Sequence, residues 1–247
     1  AIVHSDQNDP DDSSSAMTSN LITLTATVTD GDGDTADVEA EIGGSFIFKD
    51  DGPSVKAKGT DDNAIRLNTQ DAETIGTDSD TASQNFSGMF TTAIENYGAD
   101  DVSPSNASWD YSLDVTTPSS GLTHEGESIT LSVNGSGDVV GTTSSYGDVF
   151  EISVDSFGNV TLTQHQEIDH DLPGVSSDYD LQEAVLANGK VSLIGAVTIT
   201  DDDGDTATHS ASVDLGGNIA FDDDGPSVKA KGTDDNAIRL NTQDAET

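Results

Sequence analysis

Six aspartates stand in two copies of one short pattern. Asp30, Asp32 and Asp34 lie in DGDGDT, and Asp201, Asp203 and Asp205 lie in DDDGDT. Three carboxylates at alternate positions of a tight turn can converge on one hard cation. Calcium suits them, because it takes six to eight oxygens at about 2.3–2.6 Å and accepts carbonyls and water beside carboxylates. A second acidic element follows each loop. Asp50-Asp51 and Asp223-Asp224 each precede Gly-Pro, a stiff turn in which adjacent carboxylates repel unless a cation lies between them. These ten aspartates are the candidate calcium ligands.

Other chemistry is harder to place. The first loop opens like an EF-hand and Glu41 falls at its twelfth position, but Thr35 stands where that loop needs glycine, and Ser212 replaces the glutamate in the second copy. His124-Glu125 falls short of H-E-x-x-H, and Ser136 between two glycines reads as a turn, not a nucleophile elbow. His4 and His170 sit at matching places and read as structural polar contacts. Asp61, Asp62, Asp71, Glu73, Asp78 and Asp80 are weaker metal candidates. No catalytic constellation emerges, so the expectation is a protein without enzymatic activity.

The composition narrows the partners. Asp and Glu number 47 against 8 Lys and Arg, a net charge of −39 over 247 residues. That balance argues strongly against nucleic acid or an anionic membrane as partner, both being polyanions. Cysteine is absent, which removes disulfides and thiolate metal sites. No apolar run approaches the ~18 residues of a membrane span, so no membrane insertion is expected. Self-repulsion on this scale makes counter-ions important to folding.

The elements that must position the aspartates are strands. Gly, Ser, Thr, Asp and Val dominate, and helix formers are scarce. Ile22, Leu24, Ala26 and Val28 alternate with threonines, predicting a strand with one buried face ahead of the first loop, and Val38, Ala40 and Ile42 predict its return. Val191 to Ile199, then Val213 and Leu215, predict the same hairpin around the second loop. Between them, Trp109–Val115, Ile129–Val133, Val139-Val140, Phe150–Val154 and Val160–Leu162 predict short strands. Phe86–Tyr97 fits helical spacing in a β context, and 181–186 fits one helical turn.

A long repeat organises the whole. Asp51–Thr74 recurs letter for letter as Asp224–Thr247, an offset of 173, and the acidic loops repeat at an offset of 171. Ile2-Val3-His4 resembles Ile168-Asp169-His170. Cutting where no fragment is left unpartnered gives 1–74 and 167–247 as two copies of one β-module around a distinct sandwich at 75–166. The alternative cut, at Asp-Asp-Gly-Pro, leaves 1–50 and 224–247 as fragments. The expected fold is all-β, with immunoglobulin-like β-sandwich modules in tandem, end to end.

Several motifs together resemble the long tandem repeats of giant RTX adhesins exported by type I secretion. They are AIVH at Ala1–His4, TATVTDGDGDTA at Thr25–Ala36, GGSFIFKDDGP at Gly43–Pro53, DAET at Asp71–Thr74 and VTLTQ at Val160–Gln164. The resemblance implies calcium-binding, immunoglobulin-like extender segments on the bacterial cell surface, extracellular and monomeric, with neighbouring repeats of the same chain as partners. They hold a distal binding region away from the cell. It also gives the lack of cysteine a reason, since a chain exported unfolded and folded by external calcium needs no disulfide. The competing expectation is a calcium-dependent glycan- or ligand-binding module using Trp109, Tyr111 or Tyr146.

Overall fold

A computed structural model describes residues 14–76, 78–98, 107–170, 182–202 and 204–223. The chain is all-β. Its strands are β1 (Ser14–Ala16), β2 (Thr23–Thr29), β3 (Thr35–Glu41), β4 (Ile47–Lys49), β5 (Ser54–Gly59), β6 (Leu67–Gln70), β7 (Asp80–Asn85), β8 (Phe90–Asn96) and β9 (Ser108–Val115). They continue as β10 (Ser119–His124), β11 (Glu127–Val133), β12 (Val139–Thr143), β13 (Gly147–Val154), β14 (Asn159–Gln164), β15 (Glu183–Val185), β16 (Val191–Thr200), β17 (Thr206–Asp214) and β18 (Ile219–Asp222). Three short 3-10 turns are the only helical pieces among the described residues, and no helix there is long and apolar enough to cross a membrane.

The largest sheet has the order β10-β11-β12-β13-β14-β7, antiparallel throughout. Alternation builds it. On β14, Val160, Leu162 and Gln164 point inward and are buried, with half-buried residues between them. Facing this sheet are β17-β16-β9 and β15-β18-β6. Val191, Leu193, Gly195, Val197 and Ile199 form the buried face of β16. Each fully buried Val, Leu or Ile contributes roughly 1.5–3 kcal/mol. Leu67, Phe90, Leu113, Phe150, Leu162, Leu193 and Phe221 belong to one core cluster, so strands from residue 67 to residue 221 close on a single interior.

Pairing is non-local. β9 lies along β16, with Trp109 opposite Val197 and Val115 opposite Val191. β18 pairs in parallel with β6, Ile219 opposite Leu67 and Asp222 opposite Gln70. β5 pairs with β8 and also runs beside β17, where the Ala57 N–H donates to His209 Nδ1 at 3.2 Å and the Asp214 N–H to Asp61 Oδ1 at 2.9 Å. Strand pairing therefore does not follow the boundaries drawn from the repeat at 74/75 and 166/167. The edges of β8, β16 and β18 take partners from distant parts of the chain.

Two local expectations change. Phe86–Tyr97 is a 3-10 turn followed by β8, and Glu183–Val185 is a strand on the edge of β18, not a helical turn. The first hairpin, β2–β3, forms as predicted, but its apolar face is exposed among the described residues.

Candidate metal centre

The acidic loops close two hairpins in the same way. In the first, the Gly33 and Asp34 N–H groups donate to Asp30 Oδ1 at 3.1 and 2.9 Å. In the second, the Gly204 and Asp205 N–H groups donate to Asp201 Oδ1 at 3.1 and 2.7 Å. Gly33 and Gly204 have φ of +98° and +104°, a conformation that costs other residues a steric penalty, which explains the glycine in D-x-D-G-D. The first aspartate thus caps its own turn with one carboxylate oxygen.

Asp30, Asp32 and Asp34 bring one carboxylate oxygen each within 4.8 Å of one another, all three exposed. A hydrogen bond with the Asp32 carboxyl, then the Asp34 N–H, holds the Asp30 carboxyl below its usual value. Three oxygen donors from a short loop, with carbonyls and solvent beside them, fit a hard cation. Glu41 is at the far end of the hairpin, accepting from Thr23 Oγ1 at 2.9 Å, so the EF-hand likeness ends with the first turn.

The remaining candidates divide. Asp201 and Asp205 are buried, and Asp203 lies outside the described residues. Asp50 is buried and Asp51 exposed, and the Asp51 N–H donates to Asp50 Oδ1 at 3.0 Å. Going back along β5 from Gly59, beside Ser212, leads toward the start of β17. The Asp50-Asp51-Gly52-Pro53 turn consequently arrives at the same end of the β16–β17 hairpin as its acidic loop. Asp224 lies outside the described residues.

Asp223 has different company. His170 Nδ1 is 3.5 Å from Asp71 Oδ2 and 3.6 Å from Asp223 Oδ1. His170 Nε2 is 3.1 Å from the Phe221 carbonyl oxygen, an acceptor, so that nitrogen carries its hydrogen. Nδ1 then faces two acids. With a second hydrogen the ring is a cation between two carboxylates; with a lone pair it completes a nitrogen-and-oxygen set for a metal ion, its Nε2–H fixed by a carbonyl as in many histidine ligands. Such a set suits a transition-metal ion better than calcium.

Asp71 is buried at the C-terminal end of β6. Its Oδ1 accepts from Gln164 Nε2 and from the Ile168 N–H at 3.2 Å. Burial pushes its carboxyl up to about 6, against the pull of these donors and of His170, and Asp223 adds to the rise. Asp71 also lines a surface cleft with His124 and Gln166, an entry path for an ion. Reasoning from sequence ranks Asp71 low and reads His170 as a structural contact. The available signal was recurrence: His170, Asp223 and Asp71 have counterparts in His4, Asp50 and Asp244.

The weaker acids serve the backbone. Asp62 Oδ1 accepts from the Ala64 N–H at 2.9 Å, and Asp80 Oδ2 from the Gln70 N–H at 2.8 Å. Trp109 and Tyr111 pack against the core beside Phe90, with ring centroids 6.0 and 5.6 Å from it. Those two rings are half-buried, each with one side against the core.

Residues 1–43 and 60–216 match the model of a family described as a domain of unknown function, DUF5801. The two stretches cover most of the chain. The chain belongs to this family. Within the DUF5801 match, the longer stretch runs unbroken across 74/75 and 166/167, and the break between the two falls at 44–59. No curated protein and no solved structure matches the chain.

Proposed function

We propose that this DUF5801 chain is a calcium-stiffened spacer of a bacterial surface protein, an extracellular segment whose repeats separate a cell-anchored end from a distal binding region. The observation that carries the reading is the convergence of Asp30, Asp32 and Asp34 within 4.8 Å on a loop that recurs at 201–205. Three exposed carboxyl groups this close concentrate negative potential in a chain of net charge −39. Asp30, Asp32 and Asp34 would hold the ion, with loop carbonyls and water completing its shell, and Asp201 and Asp205 would do so in the second copy. A bound cation neutralises the local repulsion and fixes the turn.

A ligand that binds only the folded state stabilises it by RT ln(1 + [L]/Kd), about 2.7 kcal/mol at a hundredfold excess over Kd. Extracellular modules often bind calcium at about 10⁻⁴–10⁻³ M, which ties folding to the outside of the cell. The test is a thermal scan in calcium, in magnesium and in chelator. The melting temperature rises with calcium more than with magnesium, and equal values in calcium and chelator would refute the proposal.

A further inference from the structure

We infer that residues 14–50 are the closing half of a folding unit whose opening half, a copy of the 51–170 stretch, comes from the repeat preceding it in the same polypeptide. The inference stands whether or not the loops hold a cation. Two observations carry it: one half-fold occurs twice in the chain, and only one occurrence is covered.

The two occurrences have the same internal geometry. β2 pairs with β3 from Thr29 opposite Thr35 to Leu24 opposite Ala40. At the 171-residue offset of the loops, β16 pairs with β17 from Thr200 opposite Thr206 to Gly195 opposite Ala211. β1 places Ser15 against Phe48 of β4, and β15 places Ala184 against Phe221 of β18. The next bond matches too: the Met17 N–H donates to the Phe46 carbonyl at 3.0 Å, and the Leu186 N–H to that of Ile219 at 3.0 Å.

Their surroundings differ. β9 lies along the outer edge of β16, and Val55, Ala57 and Tyr97 cover Val197 and Ile199. β6 lies beside β18. Every one of these covers comes from residues 54–115, and the sheet facing them comes from residues 80–164. In the first occurrence the same face is apolar from Ile22 through Leu24, Ala26 and Val28 and back through Ala36, Val38, Ala40 and Ile42. Leu24, Val28 and Val38 are 59%, 68% and 66% exposed, whereas Ile199, the counterpart of Val28, is 0% exposed. A contiguous apolar sheet face of this kind calls for a partner.

The partner has a definite chemistry. It supplies a strand for the edge of β2 that has no partner strand among the described residues, a β5-like strand across Ala26 and Val28, and a β6-like strand beside β4. It also carries a residue smaller than Phe90 at that position. A Cβ on Gly195 would lie 2.7 Å from the Phe90 ring, and the first occurrence has Leu24 at the place of Gly195. One folding unit is then 51–223, a single period of 173 residues. Attachment in the same polypeptide follows from charge, because separate chains of −39 repel.

The experiment compares the 247-residue chain with one extended by a copy of residues 51–166 ahead of Ala1, and carrying Leu24→Gly to seat the added Phe90. The junction is in register, because Ile2-Val3-His4 answers Ile168-Asp169-His170. Hydrogen exchange followed by mass spectrometry reads the amides of residues 22–42. They should exchange at least about a hundredfold more slowly in the extended chain, and the added copy should be protected with them. Protection of the added sheet with unchanged exchange at 22–42 overturns the inference. So does an added copy that stays unprotected, since residues 14–50 would then not be the missing half of its core. Concentration-dependent association of the unextended chain, with protection at 22–42, would assign the face to a second chain instead.

Discussion

Replacing Asp71 with asparagine tests the electrostatics of the buried group directly. Burial moves the Asp71 carboxyl from 3.8 to about 6. Below about pH 4 the folded and unfolded chains both hold the proton, and nothing is lost. As pH rises the unfolded chain releases it first, so stability falls between about pH 4 and pH 6, and the ionised carboxylate costs the folded state roughly 3 kcal/mol above that window. The side-chain amide of Asp71→Asn keeps an oxygen for Gln164 Nε2 and the Ile168 N–H and carries no charge. Urea denaturation of both proteins in chelator, at pH 5 and pH 7.5, isolates the Asp71 site, because acids remote from it cancel in the difference. The advantage of the variant should grow by roughly 1 kcal/mol from the lower to the higher pH, from about 2 to about 3 kcal/mol. A difference that is flat with pH, or that shrinks toward pH 7.5, would show that attraction to His170 outweighs burial and would refute the reasoning.

Other outcomes follow from the same contacts. Phe221→Ala should cost about 3–5 kcal/mol in denaturant titrations, and Phe48→Ala, at the matching but exposed position, under about 1 kcal/mol. Gly195→Ala should destabilise by about 1–3 kcal/mol, because its methyl group meets the Phe90 ring, and a companion Phe90→Leu should recover part of the loss. Asp30→Asn with Asp32→Asn should reduce the number of calcium ions bound, as read by calorimetric titration, while leaving the unfolding free energy in chelator, from urea titration, within about 0.5 kcal/mol, since both side chains are exposed.

Strand identity was legible where alternation is strong. β9, β11, β14 and β16 carry apolar residues at every second position, and their sequence alone places them. β7 and β10, DTASQN and SSGLTH, carry almost no such signal. They are strands because β14 and β11 offer unpaired edges, with Leu162 opposite Ala82 and Thr130 opposite Ser119. The cut at 74/75 and 166/167 rests on the repeat alone. A letter-for-letter repeat reveals the length of the period but not its phase, and the phase depends on which distant strands share a core. Asp30, Asp32 and Asp34 were legible because their convergence is local to one turn. Asp71, His170 and Asp223 meet only after three separated segments have folded together.

The parallel pairing of β6 with β18 has a mechanical consequence. The chain enters β6 at Leu67 near the start of the 51–223 period and leaves β18 at Asp222 at its end. Tension drawn through an array of such periods pulls these two neighbouring strands past each other along their length. The evenly spaced bonds of a parallel pair then share the load in shear instead of opening one after another. β5, ahead of β6 in the period and held by β8 and β17, takes the pull first, and the β6–β18 clamp carries it once β5 is released.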